Sequence, residues 1–210
     1  PAAWAHAMNA PFQWVKTTSS HYGRTANGIV IAWPARISDR GGSRTQWHHV
    51  IDIVPTIYEA TGIEQPSMVN GVTQKPIEGV SMAYSFDSPK APSTRHTQYF
   101  EVFGHRAIYH DGWLACTTPP YGGPWVDQTR IERVDVIDGY QWELYHVDND
   151  FSEADNLAGT YPDRLHDLQL LFFAEAAKYN VLPLDDSGTE RMAPGIRPSI
   201  PLEEKIRKFA

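Results

Sequence analysis

Thiol is nearly absent: Cys116 is the one cysteine among 210 residues, which excludes a disulfide within the chain. It leaves the compartment open, since an unpaired thiol suits cytoplasm and periplasm alike. Positive charge is also scarce. Eighteen Lys and Arg stand against 25 Asp and Glu, a net charge of −7, and no basic cluster forms that would grip a phosphate backbone, so nucleic acid is excluded as a partner. No run approaches the roughly 18 consecutive apolar residues of a bilayer span, and no charged-then-apolar leader opens the chain, so a soluble protein with no membrane partner is expected. Missing too are a glycine-rich phosphate loop, a dinucleotide fingerprint, an HExxH or HxxxH pair, and any internal repeat.

What is present is enough for a core. Hydrophobic residues make up 41% of the chain, with seven Trp, ten Tyr and eight Phe, a load that serves packing first and an aryl pocket second. Gly28 to Trp33 (GIVIAW) is a short β-branched run closed by Pro34, the pattern of a strand buried on both faces. After the turn at 38–43, Val50, Ile53, Val54, Ile57 and Tyr58 recur at helical spacing. Pro55 confines that helix start to Asp52 or close to it, and Gly62 ends it. Residues 64–93 lack a sustained period and read as a surface connection.

Three strand-like runs follow, 97–103, 106–110 and 113–117, the last two joined by Asp111-Gly112, a strong hairpin signal. A loop is expected over 118–140, a fourth strand over 142–147, and a covering helix over 162–179 with Leu165, Leu168, Phe172, Ala176 and Tyr179 on one stripe behind a capping-box-like Thr160/Asp163 start. The four domain assignments that result are 1–63, a connection over 64–96, a small α+β domain over 97–182, and an extended tail over 183–210.

Few residues advertise chemistry by themselves. Lys16, in PFQWVK, is flanked by aromatic residues that would strengthen an ammonium's pull on an anion, although on spacing alone it reads as a solvated lysine. His21, in SSHYG, is either a donor to the same anion or a histidine bonded locally to shape its loop. His48 and His49 are adjacent and diverge in any regular structure, so they make no zinc-like pair; Arg44 and Asp52 are their candidate partners. GVSMA (79–83) misses the last glycine of a nucleophile elbow and follows a loop, so Ser81 is not expected to attack anything.

Residues 11–62, together with HRAIYHDGWLACTT (105–118) and WELYHVDNDFSEADNLA (142–158), resemble the later part of a type I sulfatase, an arylsulfatase-like member of the alkaline-phosphatase-like superfamily. The resemblance implies an α/β fold: the C-terminal part of an alkaline-phosphatase-like α/β sandwich, with 1–63 ending the large catalytic domain, plus a small antiparallel-sheet domain covered by a helix. It implies hydrolysis of sulfate esters, with Lys16 contacting a sulfate oxygen and His21 a secondary candidate. The C-x-P-S/T-R nucleophile motif and the early Asp-Asp pair occur nowhere in the chain. The formylglycine and the ligands of the family's Ca²⁺ or Mg²⁺ are therefore expected outside it, in a missing N-terminal part, and the chain reads as a fragment inactive by itself. No metal ligand is assigned within the chain.

Cys116 is not the nucleophile, because Thr118 and Pro120 occupy the places where the motif needs proline and arginine; it reads as a small strand residue. Gly23-Arg24 replaces two consecutive glycines of many sulfatases. A phosphonate monoester or phosphodiester hydrolase of the same superfamily is the alternative enzyme. A non-catalytic module, with Trp113, Trp125 and Trp142 anchoring an oligomer or domain contact, is the alternative from another class. The small-molecule partner implied is a sulfate ester.

Overall fold

The structure is a computed structural model that describes residues 2–16, 18–118 and 134–186. In chain order its elements are α1 (Ala2–Met8), α2 (Tyr22–Thr25), a 3₁₀ turn (Val50–Asp52) leading into α3 (Ile53–Thr61), β1 (Met68–Val69), β2 (Val72–Thr73), a second 3₁₀ turn (Ala83–Ser85), β3 (Thr97–Val102), β4 (His105–His110), β5 (Trp113–Thr117), β6 (Trp142–His146) and α4 (Pro162–Lys178). Two compact units result. One joins residues 1–26 to 99–210, and the other comprises 27–98. The segment 64–96 thus lies inside the second unit.

The first unit is built on an antiparallel sheet of order β3-β4-β5-β6. Asp111 and Gly112 both take positive φ, 45° and 81°, which is the type I′ geometry that matches the twist of a two-residue hairpin. A Cβ at Gly112 would also sit 2.4 Å from the Asp148 carboxylate, which would have to swing aside. The register pairs Ile108 with Ala115 and Ala115 with Leu144, placing these three on one face. Leu168, Phe172 and Ala176 of α4 close over them as a single buried cluster, with Trp142 edge-on to Phe172 at 5.9 Å. Of the expected helix stripe, Leu168, Phe172 and Ala176 are buried, and Leu165 and Tyr179 are half-buried. Its start differs: Tyr161 is the N-cap and makes no side-chain cap bond, and Pro162 opens the helix, since proline at the first turn needs no donor partner.

The opposite face of the sheet carries Cys116, Glu143 and Tyr145, with Cys116 opposite Glu143. Residues 12–25 cover it. Arg106, on the helix-bearing face and fully buried, donates to the Val136 and Ile137 carbonyls and lies over the Tyr140 and Trp142 rings at 5.0 and 5.2 Å.

The second unit has a polar centre. Asp52, wholly buried, accepts from the His49 N–H and the Val80 N–H, both at 2.8 Å, and pairs with Arg95. Thr56 donates to the Asp52 carbonyl at 2.6 Å and accepts from the Met82 N–H at 2.8 Å. Burial alone pushes the Asp52 carboxyl up, but Arg95 and the two N–H donors outweigh it and hold the group below the usual carboxylate range. His49 caps the 3₁₀ turn in a reciprocal box with Asp52, so Asp52 does open the helix, and Gly62 ends it at φ 67°. Gly79 is needed because a Cβ would lie 2.1 Å from the Ile51 carbonyl oxygen.

One expectation fails in this unit. GIVIAW is not a buried strand: residues 28–33 belong to no sheet, and Val30 is 95% exposed. A strand buried on both faces needs hydrogen-bonded neighbours on its edges, and among the described residues none flank it. The helix over Val50 to Tyr58 forms, with Ile53 and Tyr58 half-buried and Val54 and Ile57 exposed, and the 80–82 segment bonds to its Asp52–Thr56 face. No helix among the described residues is long and apolar enough to cross a membrane. Residues 119–133, which include Trp125 and most of the expected 118–140 loop, and residues 187–210 of the expected tail lie outside the described residues.

Candidate functional site

The polar face of the sheet is where chemistry-bearing side chains converge. His21 is 1% exposed. Its Nε2 lies 2.8 Å from Glu143 Oε2 and 3.6 Å from Cys116 Sγ, while Nδ1 is 2.8 Å from Ser20 Oγ. Ser20 Oγ continues to Thr118 Oγ1 at 2.5 Å, and the Tyr145 hydroxyl donates to Glu143 Oε2 at 3.0 Å. The hydrogen bond from His21 leads the causes that hold the Glu143 carboxyl low, and it overcomes burial. Burial, then Glu143 and Glu153, push the Cys116 thiol well up, so in the metal-free chain it stays protonated and is a poor nucleophile.

Local structure explains how His21 gets there. His21 precedes the single turn of α2 in an extended conformation and does not cap it with its own side chain. The wholly buried Glu153 does so instead, accepting from the Tyr22 N–H at 2.9 Å. The Gln13 amide donates to the Glu153 carbonyl, and the Asn9 amide ties the Trp14 and Gly23 carbonyls together at 2.8 and 2.6 Å. Gly23 has no space for a side chain, its Cβ position falling 1.9 Å from the Gln13 carbonyl oxygen. Arg24 sits in the helical turn and is not a positive-φ residue, so replacement of the second glycine makes no conformational demand here.

Burial drives the Glu153 carboxyl up to about 7 despite His21 and the Tyr22 N–H, which act the other way. Nearby His105 is also buried, and that burial, reinforced by the charges of His21 and Arg24, brings it down to about 4.

Lys16 lies on a turn with its side chain exposed and, among the described residues, without a hydrogen-bond or ion-pair partner. It belongs to the same segment as His21 but is not in the cluster. His48 and His49 gather around Asp52, His48 Nδ1 lying 4.0 Å from its carboxylate, whereas Arg44 bonds the Ser85 and Phe86 carbonyls. Ser81 accepts from the Ala83 N–H at 3.2 Å, a turn-forming role.

Sequence reasoning missed Glu143, Tyr145, Glu153, Ser20 and Thr118. For Glu143 and Tyr145 a signal existed: they are the second and fourth positions of WELYH, on the face opposite Trp142 and Leu144.

No family model matches the sequence. Over 190 residues the chain is 27% identical to an uncharacterized sulfatase of Schizosaccharomyces pombe, a similarity that covers 87% of this chain and 30% of that protein. A structure from a study of glycosaminoglycan metabolism by Bacteroides thetaiotaomicron superposes with a TM-score of 0.48 at 16% identity, covering 69% of this chain and 28% of the other. A protein solved in complex with its substrate D-glucosamine-2-N,6-O-disulfate gives 0.40 at 18%, covering 63% and 24%. The chain thus resembles a sulfatase along most of its length, and it spans less than a third of each of these relatives.

Proposed function

We propose that the protein to which this chain belongs hydrolyses sulfate esters in the manner of an arylsulfatase, and that these 210 residues supply its C-terminal region. The observation that supports this is the 190-residue similarity to a sulfatase. In this reading Lys16 meets a sulfate oxygen and offsets charge on the sulfuryl group as it transfers. Its exposed ammonium, on a segment pinned by Asn9, Gln13 and His21, suits that task. His21 then positions the segment, since both its ring nitrogens are already engaged.

The family's Ca²⁺ or Mg²⁺ does not fit what is here. Such hard cations take several oxygen ligands, and the metal-competent cluster among the described residues, His21, Cys116 and Glu143, offers one carboxylate beside an imidazole and a thiol. Formylglycine does not fit Cys116 either, which lies buried in β5 without the flanking motif. Nucleophile and metal ligands are assigned to the part of the protein this chain does not span.

The test is turnover of an aryl sulfate by the longer protein and by this chain alone. The longer protein should hydrolyse it and the chain should not, and Lys16→Ala in the longer protein should lower kcat/KM by about a hundredfold or more with the fold intact. Faster turnover of a matched phosphonate or phosphodiester would replace the sulfatase reading, and an unchanged Lys16→Ala would remove that residue from the site.

A further inference from the structure

We propose that His21, Cys116 and Glu143 form a binding site for a zinc-type transition-metal ion, separate from the metal centre that the sulfatase reading places elsewhere and independent of that reading. The three donor atoms come from different parts of the chain and lie within 4.8 Å of one another. Cys116 and Glu143 are register partners on neighbouring strands, so their side chains leave the sheet side by side, and His21 descends onto both from the covering segment.

The spacing suits a small ion. With metal–nitrogen and metal–sulfur bonds of about 2.0–2.1 and 2.3 Å, a tetrahedral site separates N from S by about 3.6 Å, and His21 Nε2 lies 3.6 Å from Cys116 Sγ. The Nε2–Oε2 separation of 2.8 Å has to open to about 3.4 Å on the same reckoning, a modest swing of a carboxylate whose side chain is 39% exposed.

An N, S, O donor set selects the zinc, cobalt and copper class over calcium and magnesium. The outer contacts are those such a site requires. Ser20 Oγ, 2.8 Å from Nδ1, is placed to accept a hydrogen bond from the Nδ1–H that His21 carries when Nε2 binds metal, and the serine hydroxyl can then donate to Thr118 Oγ1. On binding, the ion displaces the Cys116 thiol proton to solvent, while the ring proton of neutral His21 moves from Nε2 to Nδ1, so one proton is released for each ion bound.

The experiment is titration of the chelator-stripped chain with Co²⁺, followed by absorbance. The chain has a single cysteine, so a sulfur-to-cobalt charge-transfer band reports Cys116 alone. One equivalent of Co²⁺ should produce that band together with the visible bands of a tetrahedral ion, and Zn²⁺ should abolish both. Cys116→Ser should lose the charge-transfer band, and Ser20→Ala, checked for folding by circular dichroism, should weaken binding about 10- to 100-fold. Absence of the band at saturating Co²⁺ overturns the proposal even if no variant folds, as does a band that persists in Cys116→Ser.

Discussion

Glu153→Gln tests whether the cluster beneath the covering segment is held at the expense of a buried charge. Glu153 is wholly inaccessible, and burial raises its carboxyl from 4.5 to about 7. The folded state therefore keeps this proton over a pH window in which the unfolded chain has released it. Stability from the group is fully present below pH 4.5 and is lost as pH rises through about 7. At about 1.4 kcal/mol for each pH unit of that window, ionised Glu153 lowers stability by about 3 kcal/mol at pH 8.

Glutamine retains an acceptor for the Tyr22 N–H, fills the same volume, and tolerates the φ of 58° as well as glutamate does. Urea unfolding of wild type and variant at pH 5 and pH 8 should show them nearly matched at pH 5. At pH 8 the variant should lead by up to about 3 kcal/mol, equivalent to about 6–12 °C in Tm for a chain of this size. Parallel profiles, or a variant weaker at pH 8 than at pH 5 relative to wild type, would refute the reasoning. They would show that His21 and the Tyr22 N–H hold the charge at no net penalty.

The acid limb should belong to histidine. His105, depressed from 6.5 to about 4, is neutral when folded and charged when unfolded between those values, so stability falls as pH drops below 6.5; His105→Gln should flatten that limb in the same urea series. Asp52→Ala strands Arg95 and the His49 and Val80 donors and should cost about 3–5 kcal/mol, read as a lowered urea midpoint. Phe172→Ala removes a ring with no exposed surface and should cost about 3–5 kcal/mol, with Phe172→Leu costing less.

The four-stranded meander was legible because its signals are local. Asp111-Gly112 demands a two-residue turn, and WLACT and WELYH alternate around Ala115 and Leu144, which the register brings together. The α4 stripe was legible for the same reason, since Leu168, Phe172 and Ala176 fall four residues apart and all are buried. A smaller hairpin with the same signal was overlooked: Asn70-Gly71, both at positive φ, joins β1 to β2 inside the segment read as connection. GIVIAW misled because apolar content specifies a strand only where partners exist for its edges. The polar cluster was out of reach for another reason. His21 and Glu143 are 122 residues apart, and nothing in either neighbourhood names the other.

The division of labour between the two faces of this sheet follows from that contrast. On the α4 face, contact is between apolar groups, whose attraction is nondirectional. On the other face a shift would strand His21, Glu143 and the Tyr22 N–H away from their partners, leaving buried polar groups unsatisfied at about 1–3 kcal/mol each. The covering segment therefore has one docking position. Trp14 and Glu153 hold uncommon positive φ values, 61° and 58°, conformations that persist only where surroundings over-determine them. Lys16 sits between these fixed points, two residues after Trp14 and five before His21. An ammonium carried on so constrained a turn keeps a fixed place relative to β6, through the contact of His21 with Glu143.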